Sequence, residues 1–370
     1  MGCRTKPCEQ SCPVNCCPQE FIKLAKNQQY SEALKVIYAN NPMGQTCGLI
    51  CPHSFCMKSC LRSKVDHSIM IPAIQATLIH DHMNEFVMPA ISQSNGKKIA
   101  VVGAGPAGIA AAWFLAKRGY SIDLYEMSAQ IGGALNLIPK TRLPHEVIEA
   151  DWKFVQECGT IQTYLNHKID SPLTLVPHYD GIIMAVGGQI PIKLNITGEN
   201  NIISYIDYLQ NSNSYNNDTV AVIGGGKVAF DCICTALQQA SNNIHMFVRR
   251  TMSDIKMDTQ EIQFMIEHNI KIHTNMLVTD IKQESNLFSI EVSETVVDAN
   301  KCVNTGKKSI ISTKFSTIVK AIGSKAETPI KHEKIIYAGD CKTGGSTVVE
   351  ALASGIEAAT ILHKNCNFVL

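Results

Sequence analysis

The chain carries almost no net charge: over 370 residues, 33 Lys and Arg face 32 Asp and Glu, leaving +1 at pH 7. A balance this even argues against binding a nucleic-acid backbone or an anionic membrane by bulk charge. Low-complexity tracts and short-period repeats are missing. With 18% charged and 45% hydrophobic residues, a disordered tail, a coiled coil and a mucin-like stalk are excluded. The opening MGCRTKPCEQSC has no apolar run after it, so no secretory signal is visible and the expected location is the cytoplasm. One uncharged stretch, Ile99 to Ala116, reaches the length of a short membrane span. Its interior reads GAGPAG, and Lys97, Lys98, Lys117 and Arg118 bracket it, which fits a buried strand–turn–helix better.

Cysteine, by contrast, is plentiful and lopsided: 15 in all, nine of them in the first 60 residues. A reducing compartment disfavours a disulfide framework, so clustered thiols point to metal or redox work. The length favours more than one core, hence two or three domains. Up to about Asn95 the pattern shows short helical runs near Gln19–Asn27 and Ser31–Ala39, with cysteines in the flanking loops. Asn95-Gly96-Lys97-Lys98 reads as a linker. Beyond it come β-rich runs, most of them ending in glycine turns: IAVVGAG, SIDLYE, YDGIIMAVGG, TVAVIGGG, NIHMFVRR, FSTIVKAIG and KIIYAGD. Helical stretches such as Ala107–Lys117 and Ala229–Gln239 separate several of them, the pattern of parallel sheets with crossover helices. The polar Asn211–Asp218 is a plausible hinge between two such α/β units.

The first run delivers Gly103-Ala104-Gly105-Pro106-Ala107-Gly108 between a strand and a helix. Gly103 permits the tight turn, Gly105 lets the backbone approach a pyrophosphate, and Gly108 lets helix and strand pack closely. The diphosphate would rest on the helix N-terminus, where free N–H groups and the dipole favour an anion. The next strand, Ser121–Tyr125, ends in Glu126, spaced to accept hydrogen bonds from an adenosine ribose. This variant, followed by Gly132-Gly133, resembles the FAD half of flavoproteins that bind two dinucleotides. Near the C-terminus a strand delivers Gly339-Asp340, followed by Ser346-Thr347 and a helix. The same resemblance places this Gly-Asp at the ribityl and phosphate region of the flavin. An Asp that merely caps a turn is the plainer alternative.

A second fingerprint, Gly224-Gly225-Gly226-Lys227-Val228-Ala229, again lies between strand and helix. Its following strand, Ile244–Val248, ends in Arg249-Arg250 rather than an acid, which accommodates the 2′-phosphate of NADPH over NADH. A surface arginine pair is the competing reading. With two dinucleotides on one chain, a nicotinamide can pass hydride to a flavin. The cofactors carry that reaction, so no side chain is nominated as catalytic.

The cysteines read Cys3-x4-Cys8-x3-Cys12-Pro13 and Cys47-x3-Cys51-Pro52-x3-Cys56-x3-Cys60. Thiolates from loops suit iron–sulfur clusters; structural zinc is the alternative, although its short C-x2-C knuckles are absent. With these blocks in order, the whole chain resembles the family of the glutamate synthase small subunit and the N-terminal half of dihydropyrimidine dehydrogenase. The resemblance rests on CxxxxCxxxCP, NNPMGQTCGLICP, CMKSC, GAGPAG, GGALNLIPKTRLP, YDGIIMAVGG, GGGKVAFD, FVRR and YAGDCKTGGSTVVEAL. It implies an α/β fold: a helical 4Fe–4S domain (1–95), then an FAD domain (96–210 and 325–370) with an NADPH domain (211–324) inserted. It also implies that Cys3, Cys8 and Cys60 hold one cluster, and that Cys12, Cys51, Cys56 and Gln75 hold the other. Gly133, Arg142, Gly187 and Thr347 join the cofactor-binding residues on the same basis.

Three departures accompany the resemblance. The family cysteine that pairs with Cys3 in C-x2-C would precede Met1; a truncated chain, a misassigned start, a damaged cluster, and substitution by Cys16 or Cys17 are the open readings. The Cys51–Cys56 spacing is one residue tighter than usual, and Lys227 replaces the asparagine of GGGNVA. Cys47 matches a family cysteine that is not a ligand. The resemblance implies an electron-input subunit, passing electrons from NADPH through FAD and the clusters to a catalytic partner subunit of the dihydropyrimidine dehydrogenase kind. The alternatives are a glutamate synthase small subunit and, in another class, a non-catalytic docking protein with a degraded cluster domain.

Overall fold

The structure is a computed structural model that describes every residue except 1, 2, 4, 87, 89, 90, 189, 299, 300, 327, 328 and 368–370. It divides into two units. One comprises Met1–Asn136, Lys140–Ile190 and Lys325–Leu370, the other Leu137–Pro139 and Pro191–Ser324.

The first unit is built on a five-stranded parallel sheet in the order Ile335–Tyr337, Gly181–Met184, Lys98–Val102, Ser121–Tyr125, Ile161–Tyr164. Parallel strands are covered on both faces, which is why Ile99 to Val102 form one continuous buried run. The first strand feeds the helix Pro106–Ala116, whose Ala110, Ala111 and Ala112 are wholly buried. Its small residues let the last helix, Val348–Asn367, approach closely: a Cβ on Gly355 would stand 2.1 Å from the Ala107 carbonyl oxygen. The uncharged stretch is therefore strand, turn and interior helix. Among the described residues no helix is long and apolar enough to cross a membrane.

In the same unit the cysteine-rich segment forms helices Pro18–Lys26 and Tyr30–Tyr38, close to the expected runs. Shorter helices at Pro7–Gln10 and Gly44–Ile50, and one at Ile71–His82, complete it. Phe21, Leu34, Ile37, Met43 and Ile79 make its apolar interior. Asp151, on the helix His145–Gln156, fastens it to the nucleotide fold. This carboxylate is 1% exposed and accepts the backbone N–H groups of Thr46 and Gln45 at 2.8 and 3.2 Å. Those donors sit in the first turn of Gly44–Ile50, where N–H groups have no partner inside the helix. Burial nonetheless pushes the Asp151 pKa up to about 7, against the pull of its hydrogen bonds. Alongside, the rings of Tyr38 and Phe154 stack at 4.0 Å.

The second unit has its own five-stranded parallel sheet in the order Ile203–Ser204, Thr317–Lys320, Thr219–Ile223, Asn243–Phe247, Lys271–His273. The short strand at Ile203 pairs with Val319, and Tyr208 is fully buried in this unit's core. The segment from Pro191 to Asn211 thus belongs with the second sheet, so the boundary lies some way before the expected 211. The physical reason is pairing: a strand of two residues is too short to read from composition but is anchored by its neighbour. All seven β-rich runs contain a strand. They do not reveal the three-stranded antiparallel sheet of Met276–Glu284, Leu287–Asp298 and Lys301–Ile310. It packs on the second unit's parallel sheet through Phe247, Val278, Ile290, Val292 and Phe315.

Candidate functional site

In the first unit, three loops meet at the N-terminus of the helix Pro106–Ala116. Gly103 has φ +102, and a Cβ there would stand 2.4 Å from the Ala185 carbonyl oxygen. A Cβ on Gly108 would lie 1.9 Å from the Gly103 carbonyl oxygen, so helix and turn touch backbone to backbone. Gly105 differs: its φ is −77 and the nearest atom to an added Cβ is 3.9 Å away. Nothing in the protein needs glycine there; a side chain would occupy only the space over the helix end, as a pyrophosphate cradle requires. The Gly132 N–H donates to the Ala104 carbonyl at 2.8 Å, which brings Gly133 against Gly105. From the other end of the chain, Gly339 packs on Ala107, and its N–H donates to the Ser354 hydroxyl at 2.8 Å.

Glu126 closes this arrangement. Its Oε2 accepts the Ala104 N–H at 2.9 Å, and its Oε1 accepts the Ser128 N–H and hydroxyl at 2.9 and 2.8 Å. The carboxylate is 6% exposed and is held rigidly beside the glycine loop, with lone pairs to spare for a ribose. Asp340 begins a short helix and accepts the Ser346 hydroxyl; burial raises its pKa, against that hydrogen bond. Thr347 is engaged locally, its hydroxyl on Glu350 at 2.7 Å in a cap of the last helix. Gly187 has φ +71 in open space. Arg142 is half-buried in the loop before His145–Gln156. Ser128, Ser354 and the Ala104 N–H escaped the sequence reading, because each acts by fastening a motif residue rather than by belonging to the motif.

The second fingerprint repeats the backbone. Gly224 has φ +145, with an added Cβ 2.2 Å from the Ala321 carbonyl oxygen, and Gly226 has nothing within 4 Å. Ala229 is fully buried, and Val228 packs at the edge of the core. Lys227 opens the helix Lys227–Gln238, but its ammonium is held by Asp258 at 3.0 Å and by Glu261. These two carboxylates cap the helix Thr259–Glu267 and were readable as D-x-x-E in the sequence. Arg249 and Arg250 are exposed, and among the described residues neither guanidinium is in an ion pair. Their backbone is pinned instead: the Arg249 carbonyl accepts Thr295 Oγ1 at 2.7 Å, and that of Arg250 accepts the Asn275 N–H at 3.0 Å.

The cysteines gather without converging on a point: among the described residues no three ligand-type side chains define a single-ion site. Cys60 lies within electrostatic reach of Cys8, and Cys56 within reach of Cys12 and Cys8. The Cys12 thiol is pulled below its ordinary range, first by the neighbouring Cys16 thiol. The backbone N–H groups of Cys16, Val14 and Asn15 add to this against burial. Backbone N–H groups also face the sulfurs of Cys3, Cys8 and Cys56, although burial, the larger effect, raises the Cys8 thiol and pushes that of Cys56 up to about 11. Such donors stabilise sulfur as a thiolate, the form iron binds, so the donor set fits an iron–sulfur cluster. Gln75 is 5% exposed, and its Nε2 donates to the Gly44 carbonyl at 2.6 Å.

These features define a two-dinucleotide oxidoreductase with a thiol-rich annex, and comparison with known proteins agrees. Residues 97–355 match the pyridine nucleotide-disulphide oxidoreductase family, and the chain belongs to it. Residues 1–86 match dihydropyrimidine dehydrogenase domain II, 4Fe-4S cluster. The protein is thus an NAD(P)H-dependent flavin oxidoreductase whose cofactors are FAD, NAD(P)H and a 4Fe–4S cluster.

The NAD-dependent dihydropyrimidine dehydrogenase subunit PreT of Escherichia coli is 27% identical over 98% of this chain and 91% of its own length. The NADP(+)-dependent formate dehydrogenase subunit beta of Moorella thermoacetica is 25% identical over 97% of this chain. The NADPH-Fe(3+) oxidoreductase subunit beta of Geobacter sulfurreducens is 27% identical over 76%. The chain spans only 60% and 44% of the last two relatives. Among solved structures, Mycobacterium tuberculosis FprA in complex with NADPH superposes with a TM-score of 0.64 at 15% identity, covering 73% of this chain and 85% of that one. That likeness establishes the fold.

Proposed function

We propose that the chain is an electron-input subunit that takes electrons from NADPH and delivers them, through FAD and 4Fe–4S clusters, to a partner subunit reducing a pyrimidine. The observation that supports it best is the joining of two nucleotide loops and a thiol-rich helical segment in one chain, aligned nearly end to end with a dihydropyrimidine dehydrogenase subunit. A bound flavin accepts a hydride and releases electrons singly, the conversion such a chain must perform. The residues of this chain bind and orient. Gly105 and Gly226 leave the helix ends open to a pyrophosphate, and Glu126 takes the ribose of the flavin dinucleotide. Arg249 and Arg250 take the 2′-phosphate, with no carboxylate among the described residues paired to them. Lys227, engaged by Asp258 and Glu261, positions the second fingerprint helix rather than a phosphate.

The test is NADPH oxidation by anaerobically reconstituted, flavin-loaded protein, with ferricyanide as acceptor. Turnover with NADPH, and co-purification of a subunit with pyrimidine reductase activity, are the expected results. Absence of turnover in flavin-loaded protein would leave only the docking reading. A co-purifying subunit with another terminal reaction would replace the pyrimidine assignment.

A further inference from the structure

The strand that ends in Arg249 and Arg250 is held at that end by three consecutive carbonyls. That of Val248 accepts the Met276 N–H at 3.0 Å, and that of Arg250 accepts the Asn275 N–H at 3.0 Å. These are main-chain bonds, which almost any residue at 275 or 276 would supply. The carbonyl between them, that of Arg249, is held by side chains: the Thr295 hydroxyl donates to it at 2.7 Å and the Cys302 thiol at 2.8 Å. Resting on the assignment of Arg249 and Arg250 to the 2′-phosphate, we propose that Thr295 and Cys302 are positioning residues for NADPH selectivity. They fix the peptide that joins the two arginines, and with it the directions in which their side chains leave the chain.

Both donors come from the antiparallel ribbon. Thr295 lies on Leu287–Asp298 and pairs with Asn304 of Lys301–Ile310; Cys302 stands two residues before Asn304. Residues two apart on a strand share a face, so Thr295 and Cys302 are diagonal neighbours on one face of the ribbon. Thr295 is 3% exposed and is itself anchored, its N–H donating to the Asn275 carbonyl at 2.9 Å. Asn275 adopts φ +56, a left-handed conformation that asparagine tolerates better than most residues, and turns the chain between Lys271–His273 and Met276–Glu284. That turn presents its N–H to Arg250 and its carbonyl to Thr295, and so ties the ribbon to the end of the arginine strand.

A carbonyl oxygen has two lone pairs, and two donors meet that of Arg249. With the peptides before and after it also held, the backbone of both arginines is fixed while their side chains stay exposed. Arginines on a loose turn would have to be ordered when a phosphate arrived, at a cost in conformational entropy. Here the backbone share of that ordering is complete on folding. NADH has a hydroxyl where NADPH has the phosphate, so it makes no charge-assisted bond to a guanidinium and gains nothing from this placement. The brace therefore acts on the difference between the two nucleotides, and leaves the binding they share to the glycine loop.

The test takes the full chain, flavin-loaded, and compares Thr295→Val, Cys302→Ala and their combination with a double variant, Thr295→Ser and Cys302→Ser, that keeps a hydroxyl donor at each position. Calorimetric Kd values for NADP+ and NAD+, and KM values for NADPH and NADH with ferricyanide, are the readouts; bound FAD and thermal unfolding report folding. The Thr295→Val, Cys302→Ala combination should weaken NADP+ binding and raise the KM for NADPH about three- to tenfold, with kcat and both NAD(H) values unchanged. Each single variant leaves one donor on the carbonyl and should lose less, Thr295→Val more than Cys302→Ala because a thiol is the weaker donor. The double serine variant should bind NADP+ as the parent does. An unchanged ratio of NADP+ to NAD+ affinity in the combination, or an equal loss for both nucleotides, overturns the proposal. Should the combination fail to hold FAD, Thr295→Val against Thr295→Ser decides by the same ratio. Arg249→Gln with Arg250→Gln separates the two assignments: an unchanged ratio there means that the arginines do not take the phosphate, and both fall. A ratio that shifts there but not in the Thr295 and Cys302 variants overturns the brace alone.

Discussion

The two fingerprint loops share a backbone and part company at their edges. Gly103 and Gly224 both have positive φ and both pass within 2.4 Å or less of a carbonyl oxygen, measured from an added Cβ. The third position differs: at Gly108 helix and turn meet backbone to backbone, whereas Ala229 carries its methyl group buried in the core. The end of the next strand differs more. Glu126 is folded onto its own loop by three hydrogen bonds, while Arg249 and Arg250 stand exposed and, among the described residues, are tethered through their backbone carbonyls. The glycines therefore build a general cradle for a dinucleotide. The residue closing the second strand then decides which ribose it takes: an acid for a free hydroxyl, a cation for a phosphate.

The harshest way to break this comparison is Gly108→Val. With no room beside the Gly103 carbonyl, backbone must move at a cost of about 1–3 kcal/mol or more, and bound FAD should be lost. Ala229→Gly, its counterpart, should cost only about 1 kcal/mol of helix propensity and leave NADPH oxidation near normal. FAD content and thermal unfolding of the two variants check the contrast.

Replacing Arg249 and Arg250 together with neutral residues should raise the KM for NADPH roughly tenfold to over a hundredfold, from about 1.5–3 kcal/mol of charge-assisted bonding. NADH should be little affected. Equal changes for both nucleotides in steady-state kinetics would mean the pair is surface decoration. In the first unit, Glu126→Ala leaves the Ala104 N–H without its acceptor, about 1–3 kcal/mol if it stays dry. FAD dissociation, followed by fluorescence, should be about tenfold tighter in the parent than in the variant, with the NADPH site untouched.

The smallest effect concerns a feature of the first unit alone, the Asp151 clasp on the cysteine segment. Its pKa of about 7 lies above the ordinary 3.8, so the folded state keeps this proton to higher pH than the unfolded state does. The associated stability is complete below about 4 and is lost as pH rises through about 7. Urea melts at several pH values should show that decline, and Asp151→Asn should flatten it. An unaltered pH profile in the variant would mean that Asp151 titrates as it does in the unfolded chain.

Much of this was legible without coordinates. All seven β-rich runs hold strands, and the strand before the first fingerprint spans Lys98–Val102. Such runs are legible because a buried parallel strand needs only a local apolar stretch and a turn residue. The antiparallel sheet of residues 276–310 was not, since its strands are half exposed and rich in lysine, threonine and serine. Nor was the early boundary near Pro191, which depends on a two-residue strand finding Val319.

By itself, the sequence determined the class of protein: two strand–turn–helix cradles and a run of thiols are each contiguous in the chain, so spacing alone exposes them. Only the tertiary structure decided which partners those groups meet. It put the Lys227 ammonium on Asp258 and Glu261, placed Asp151 against Thr46, and buried Cys16 while leaving its neighbour Cys17 half-exposed. The reason is physical. A charge or a thiol acts over a few ångströms of space, and which groups lie within that distance is set by packing between segments far apart in the chain.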